Sequence, residues 1–158
     1  MPSPSPILNI VLNQPEIPGN TGAVGRTCVA MGAKLWLVRP LGFRVDEKTL
    51  RRAGLDYWQH LDWEVADHWG DLLEKLQPQR IWYFSRFAKR TYTSVEYERS
   101  DTFVFGSETS GLPASLTEPN ANRLLRIETT DKVRSLNLAT SVGVAAFEAV
   151  RQLGGVGS

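Results

Sequence analysis

Five short apolar runs constrain the fold of this chain more than any other feature. Ile7-Leu-Asn-Ile-Val-Leu12, Leu35-Trp-Leu-Val38, Ile81-Trp-Tyr-Phe84, Thr102-Phe-Val-Phe105 and Leu124-Leu-Arg-Ile127 are rich in branched and aromatic side chains. Each is too brief for a helix and reads as a strand buried on both faces. Helical stretches fall between and after them. Asn20 is a candidate N-cap for a helix to Met31, with Gly32 as its C-cap. Asp46 to Arg52 reads as a helical turn, and Asp67 to Leu76 as a helix stopped by Pro78. Leu138 to Leu153 is the longest helical candidate, ended by Gly154 and Gly155. Buried strands alternating with helices predict an α/β fold, a mainly parallel sheet flanked by helices, with ligands beyond the carboxyl ends of the strands.

At 158 residues the chain is expected to be one domain, spanning 7–154. The Pro- and Ser-rich start (1–6) and the last residues (155–158) are expected to be flexible tails. No apolar run approaches the roughly 20 residues of a membrane span, and the start lacks the features of a signal peptide. Cys28 is the one cysteine, and His60 and His68 are the two histidines. They exclude an internal disulfide and make no zinc set, so neither metal nor membrane is expected, and a cytoplasmic location is. Net charge is only +1, which gives no bulk electrostatic argument for nucleic acid. Distribution says more: Lys34, Arg39, Arg44, Lys48, Arg51 and Arg52 cluster against Asp46 and Glu47, and arginines outnumber lysines 13 to 5. Arginine grips phosphate bidentately.

Three strand-ending loops are rich in glycine and small polar residues. The first, Pro18-Gly-Asn-Thr-Gly22, suggests dinucleotide binding, but Gly19, Gly22 and Gly25 are spaced G-x-x-G-x-x-G rather than G-x-G-x-x-G, and no Walker motif is present. The second is Gly106-Ser-Glu-Thr-Ser-Gly-Leu-Pro113. Its glycine permits a close backbone approach, Glu108 offers a carboxylate among small residues, and Gly111-Leu-Pro113 reads as a helix entry. The third runs from Asp131 to Asn137, where Ser135 and Asn137 are typical cap residues. Each loop alone is equally well a structural turn or a helix cap.

Together and in this order, Asn20-Thr-Gly-Ala-Val-Gly-Arg26, Phe105-Gly-Ser-Glu-Thr-Ser-Gly-Leu-Pro113 and Arg134-Ser-Leu-Asn-Leu-Ala-Thr-Ser141 resemble the three motifs of the SPOUT methyltransferases, in their TrmH-like ribose 2′-O branch. Pro15-Glu-Ile-Pro18, Pro40-Leu-Gly-Phe43, Leu50-Arg-Arg-Ala-Gly-Leu-Asp-Tyr57 and Phe147-Glu-Ala-Val-Arg-Gln-Leu-Gly154 narrow the resemblance to the small family that methylates the wobble nucleotide of tRNA. The resemblance implies a C-terminal trefoil knot, a homodimer and S-adenosyl-L-methionine as cofactor. It implies cofactor contacts at Phe84, Ser85, Gly106, Glu108, Ile127, Ser135, Leu136 and Asn137, and reaction roles for Arg26, Asn20, Glu108 and Asn137.

The implied reaction needs in-line placement of a methyl donor and a ribose hydroxyl. A hydroxyl is a weak acid, and an arginine titrating above about 12 is a poor base, so Arg26 is expected to bind phosphate and favour alkoxide character electrostatically, a literal base role with the arginine first losing a proton being the costlier alternative. Asn20 is expected to orient Arg26 or the ribose. The partner is tRNA in its anticodon region, with Arg44, Lys48, Arg51 and Arg52 as phosphate contacts and Tyr57 or Trp58 as a stacking surface for a base. Trp36, Trp63, Trp69 and Trp82 are expected in the core or an interface. Three departures mark this chain: Phe147 stands where the family commonly has tyrosine, Ser107 where close relatives often have proline, and large and basic residues fill 82–86. A 2′-O-methyltransferase for rRNA or another tRNA position, or a non-catalytic RNA-binding protein, are the alternatives.

Overall fold

The computed structural model describes residues 5–44, 48 and 55–156. Its centre is a seven-stranded sheet in which every pairing is parallel. The strands are β1 (Leu8–Asn13), β2 (Lys34–Val38), β3 (Trp63–Ala66), β4 (Ile81–Phe84), β5 (Arg90–Thr91), β6 (Asp101–Phe105) and β7 (Leu124–Arg126). They lie side by side as β3-β2-β1-β6-β4-β7-β5. Helices α1 (Pro18–Met31), α2 (Trp69–Leu76), α3 (Ala114–Thr117) and α4 (Leu138–Gln152) cover the faces, with 3₁₀ turns at Leu55–His60 and Glu118–Arg123.

Alternation along the strands splits the core in two. Ile10, Leu12, Leu35, Leu37, Phe84, Phe103 and Leu125 point to one face, under α1 and α4, where Val24, Cys28, Met31, Val142 and Ala146 meet them. Val11, Trp36, Val38, Tyr83 and Val104 point to the other, against Leu72 of α2 and Leu116 of α3. A sheet covered on both sides has only its strand ends open to a ligand. The chain runs outward from β1 in two directions, to β2 and β3 on one side and to β6 and beyond on the other. The loops after β1 and β6 therefore part at a topological switch point.

The five expected strands are all present, within one residue at each end. Two strands were not expected. Trp63–Ala66 carries mixed polar and apolar residues at the sheet margin, and Arg90–Thr91 is only two residues long. The first helix corrects the expected cap: it begins at Pro18, with Ile17 as N-cap and no side-chain capping bond, so Asn20 lies inside its first turn. Proline suits a first helical position because its missing N–H would have no helical partner there. Gly32 ends α1 at φ 84°, as expected of a left-handed C-cap. His68 caps α2 by accepting from the Asp71 N–H, so that helix starts two residues later than expected. Ser5 and Pro6 are tied to the 99–100 turn by Arg99 and Ser100. Among the described residues, no helix is long and apolar enough to cross a membrane.

Candidate active site

Pro15 and Pro18 flank two residues whose N–H groups point out of the first loop, and one carboxylate meets both. Glu108 accepts from the Glu16 N–H at 2.8 Å and the Ile17 N–H at 2.9 Å. The same carboxylate accepts from Asn20 Nδ2 at 3.1 Å. Glu16 returns the grip on the second loop, accepting from the Thr109 N–H at 3.1 Å and from the Thr109 hydroxyl. The Thr109 hydroxyl, followed by its N–H, holds the Glu16 carboxyl below the usual glutamate range. A third segment presses in behind: Gly42 N–H donates to Pro15 O at 2.9 Å, and a Cβ on Gly42 would lie 2.6 Å from the Glu16 carbonyl oxygen. Only glycine fits that approach.

The third loop joins through Asn20. Its Oδ1 accepts from Asn137 Nδ2 at 3.1 Å, while Asn137 Oδ1 caps α4 by accepting from the Ala139 and Thr140 N–H groups at 2.9 and 3.3 Å. Glu108, Asn20 and Asn137 thus form one string of hydrogen bonds linking the starts of α1 and α4 to the loop after β6. That loop turns back on itself, with Gly111 N–H bonded to Ser107 O at 2.9 Å and Gly111 at φ 67°. A Cβ on Gly106 would sit 2.1 Å from the Gly111 carbonyl carbon, so the turn closes only around glycine.

These loops wall a cleft of about 900 Å³, a size suited to a cofactor-sized ligand. Its walls come from 84–87, 105–112 and most of 125–138, with Ile17 and Asn20. Phe84 stacks on Phe105 at 4.6 Å between centroids and forms part of its apolar base. Among the described residues, no backbone N–H from 127 to 136 makes a well-formed hydrogen bond to another backbone group. Backbone N–H groups outside any backbone ladder, beside aromatic rings, suit a flat, polar heterocycle.

Phe84, Ser85, Gly106, Glu108, Ile127, Ser135, Leu136 and Asn137 all line the cleft. Glu108 is turned toward the first loop, with its hydrogen bonds running to residues 16, 17 and 20. Asn20 holds Glu108 and Asn137 rather than Arg26. Arg26 lies six residues further along α1, about 9 Å up the helix and about 120° around it. It is exposed, is not among the lining residues, and sets its guanidinium 5.8 Å from the Tyr57 ring centroid. Tyr57 donates its hydroxyl to Gly22 O, and burial raises its pKa, partly offset by Arg26.

Trp58 corrects the expected stacking role. It is buried, edge-on to Trp63 at 5.2 Å, with its ring where a Cβ on Gly25 would fall 2.9 Å away. Trp36 and Trp82 are buried as expected, while Trp63 and Trp69 pack half-buried on the two core clusters. Arg44 and Lys48 are exposed; Arg51, Arg52 and nearly all of the 46–52 turn lie outside the described residues. Sequence reasoning missed Glu16 and Thr109. The available signal was the pair of backbone donors stranded between two prolines, which called for a nearby acceptor. Among the described residues, no three of His, Cys, Asp or Glu gather closely enough to hold a metal ion.

Comparison with known proteins agrees with this layout. The chain is 41% identical over 149 residues to the tRNA (cytidine(34)-2′-O)-methyltransferase of Escherichia coli (strain K12), covering 94% of this chain and 95% of that one. It superposes with a TM-score of 0.87 on a solved structure described as "Structural insights into the 2-OH methylation of C/U34 on tRNA", at 43% identity over 97% of this chain and 94% of the other. An AdoMet-bound rRNA methyltransferase from Sinorhizobium meliloti matches at a TM-score of 0.81 and 27% identity, covering 92% of this chain and 56% of that one. The SpoU rRNA Methylase family matches residues 7–147, and the chain belongs to it.

Proposed function

We propose that this chain transfers a methyl group from S-adenosyl-L-methionine to the 2′-hydroxyl of the wobble nucleotide of tRNA, a cytidine or uridine at position 34. It does so as a cytoplasmic homodimer whose single catalytic domain, residues 7–154, carries the trefoil knot implied by the resemblance. The observation that carries this reading is the hydrogen-bonded string Glu108–Asn20–Asn137, which gathers all three motif loops around one cleft. Near-full-length relatives named for this reaction support the substrate.

The cleft's own chemistry fits the cofactor. Phe84, Ile127 and Leu136 supply apolar contact, and backbone N–H groups of 127–136 match the edge of an adenine. When bound, S-adenosyl-L-methionine supplies an electrophilic methyl on a sulfonium whose departure leaves a neutral thioether. Gly106 and Ser135 let the backbone approach the ligand, and Asn137 holds the start of α4 against it. Glu108 fixes the first loop so that Asn20 faces the reacting ribose. Arg26, outside the cleft lining, contacts the RNA phosphate beside that ribose and stabilises negative charge gathering on the 2′-oxygen. Arg44, Lys48, Arg51 and Arg52 add phosphate contacts.

The test is incubation of the protein with labelled S-adenosyl-L-methionine and unmodified total tRNA, followed by mapping of the methylated nucleotide. Label at the 2′-oxygen of nucleotide 34 is expected. Label confined to rRNA or to another tRNA position would overturn the substrate. Absence of S-adenosyl-L-methionine binding in calorimetry would overturn the reaction.

A further inference from the structure

The cleft lining, which also holds Glu128 and Asp131, runs out on one side into a basic stretch that the residues assigned so far do not use. No acidic residue occurs in 81–95 or in 119–127, yet these stretches hold Arg86, Lys89, Arg90, Arg123 and Arg126. The two stretches meet at the sheet edge, where β5 pairs with β7 in the register Arg90↔Leu125 and Thr91↔Arg126. Arg123 ends the 3₁₀ turn that leads into β7 and Arg126 closes that strand, and Arg126, with Arg86 and Phe87, lines the cleft mouth.

Two aromatic rings organise this stripe. Trp82 carries the Arg90 and Arg123 guanidiniums at 5.7 and 5.1 Å from its ring centroid, and Arg90 is further fixed by Asn122 O at 2.9 Å. Both cations are thereby held in place before any partner arrives. Phe87 is 77% exposed, and the Arg86 guanidinium lies 4.4 Å from its centroid. Among the described residues, none of these five cations pairs with a carboxylate, in contrast to Arg80 beside them, which Asp101 and Glu98 neutralise. A lone exposed phenylalanine is ordinary on a protein surface. One placed at a cleft mouth, capped by a guanidinium and followed by a line of unneutralised arginines, has the parts of a single-strand nucleic-acid track: a stacking platform and cations spaced along a backbone.

We infer that the stripe Arg86–Phe87–Lys89–Arg90, continued by Arg123 and Arg126, is a docking track for the RNA strand flanking the methylated nucleotide, with one base stacked on Phe87. The inference rests on the RNA reading above and adds residues other than Arg44, Lys48, Arg51 and Arg52. It also gives a role to the departure at 82–86.

The test measures binding of a labelled anticodon stem-loop RNA by fluorescence anisotropy across a salt series, in parallel with methyl transfer to whole tRNA. Phe87→Ala is expected to weaken RNA binding about tenfold and Phe87→Trp to retain it. Arg86→Gln with Lys89→Gln is expected to reduce the slope of log affinity against log salt by about 1.4, two contacts at about 0.7 each on a single strand. The melting temperature should stay at the wild-type value, which separates lost docking from lost folding. Wild-type RNA affinity and salt slope in all these variants would overturn the track while leaving the methylation reading intact. Weakened binding by the variants of a wild-type protein that transfers no methyl would uphold the track and overturn the methylation reading. A wild-type protein that neither binds nor methylates RNA would overturn both.

Discussion

At the scale of single residues, Arg26 and Glu16 lead to separate tests, one of the reaction and one of the fold around the cleft. Arg26 is exposed on α1, off the cleft lining, with its guanidinium near the Tyr57 ring. Removing it should therefore spare the cofactor. Arg26→Ala is expected to cut methyl transfer at least 100-fold, about 2.7 kcal/mol or more of transition-state stabilisation, while calorimetry returns a cofactor Kd within about twofold of wild type. Equal loss of both would make Arg26 a structural residue. Glu16, by contrast, is a clamp. Its folded-state carboxyl titrates below the ordinary glutamate value of 4.5, so its bond to Thr109 contributes fully above that pH and is lost as pH falls through the lowered value. Thr109→Val should flatten the fall in thermal midpoint below about pH 4.5 relative to wild type. An identical acid limb in both proteins would show the clamp to be energetically silent.

At the scale of elements, the sheet and its three strand-end loops were readable because burial on two faces leaves a plain mark in the sequence. Ile10 and Phe103 sit in strands buried at every position, with no exposed face to confuse the period. The margins left no such mark. Trp63–Ala66 mixes exposed Glu64 with buried Ala66, and Arg90–Thr91 has too few residues to show alternation. Asn20 was legible as a polar residue at a helix start, but its side chain turns to Glu108 and Asn137, partners 88 and 117 residues away. Local propensity carries no trace of such pairings. The turn after β6 offers the sharpest element-level test. Gly106→Ala would drive a methyl group into the Gly111 backbone. It is expected to cost about 3 kcal/mol or more in urea unfolding and to abolish S-adenosyl-L-methionine binding. A well-folded variant that still binds would mean the loop can close another way.

At the scale of the whole molecule, the surface holds apolar residues that the fold does not cover. Ile17 is 49% exposed beside the cleft, and Phe147 is 44% exposed on α4, whose other face packs against α1 and the sheet. The proposed homodimer accounts for such exposure. Sedimentation is expected to give twice the chain mass, and Phe147→Asp to shift it to the single chain without loss of helix signal. A wild-type protein that sediments as one chain at all concentrations would remove the dimer from the proposal.

The contacts that shape the cleft join residue 16 to 109, 17 to 108 and 20 to 137. None is local. A chain emerging from the ribosome finishes β1 and α1 early, and Gly42 can brace the first loop at Pro15, but the carboxylate that takes the Glu16 and Ile17 N–H groups is absent until residue 108 appears, and the Asn137 that ties Asn20 to α4 comes later still. Competence to bind a ligand thus arrives last and all at once during synthesis, and a prematurely terminated chain is blind to its ligand rather than partly active.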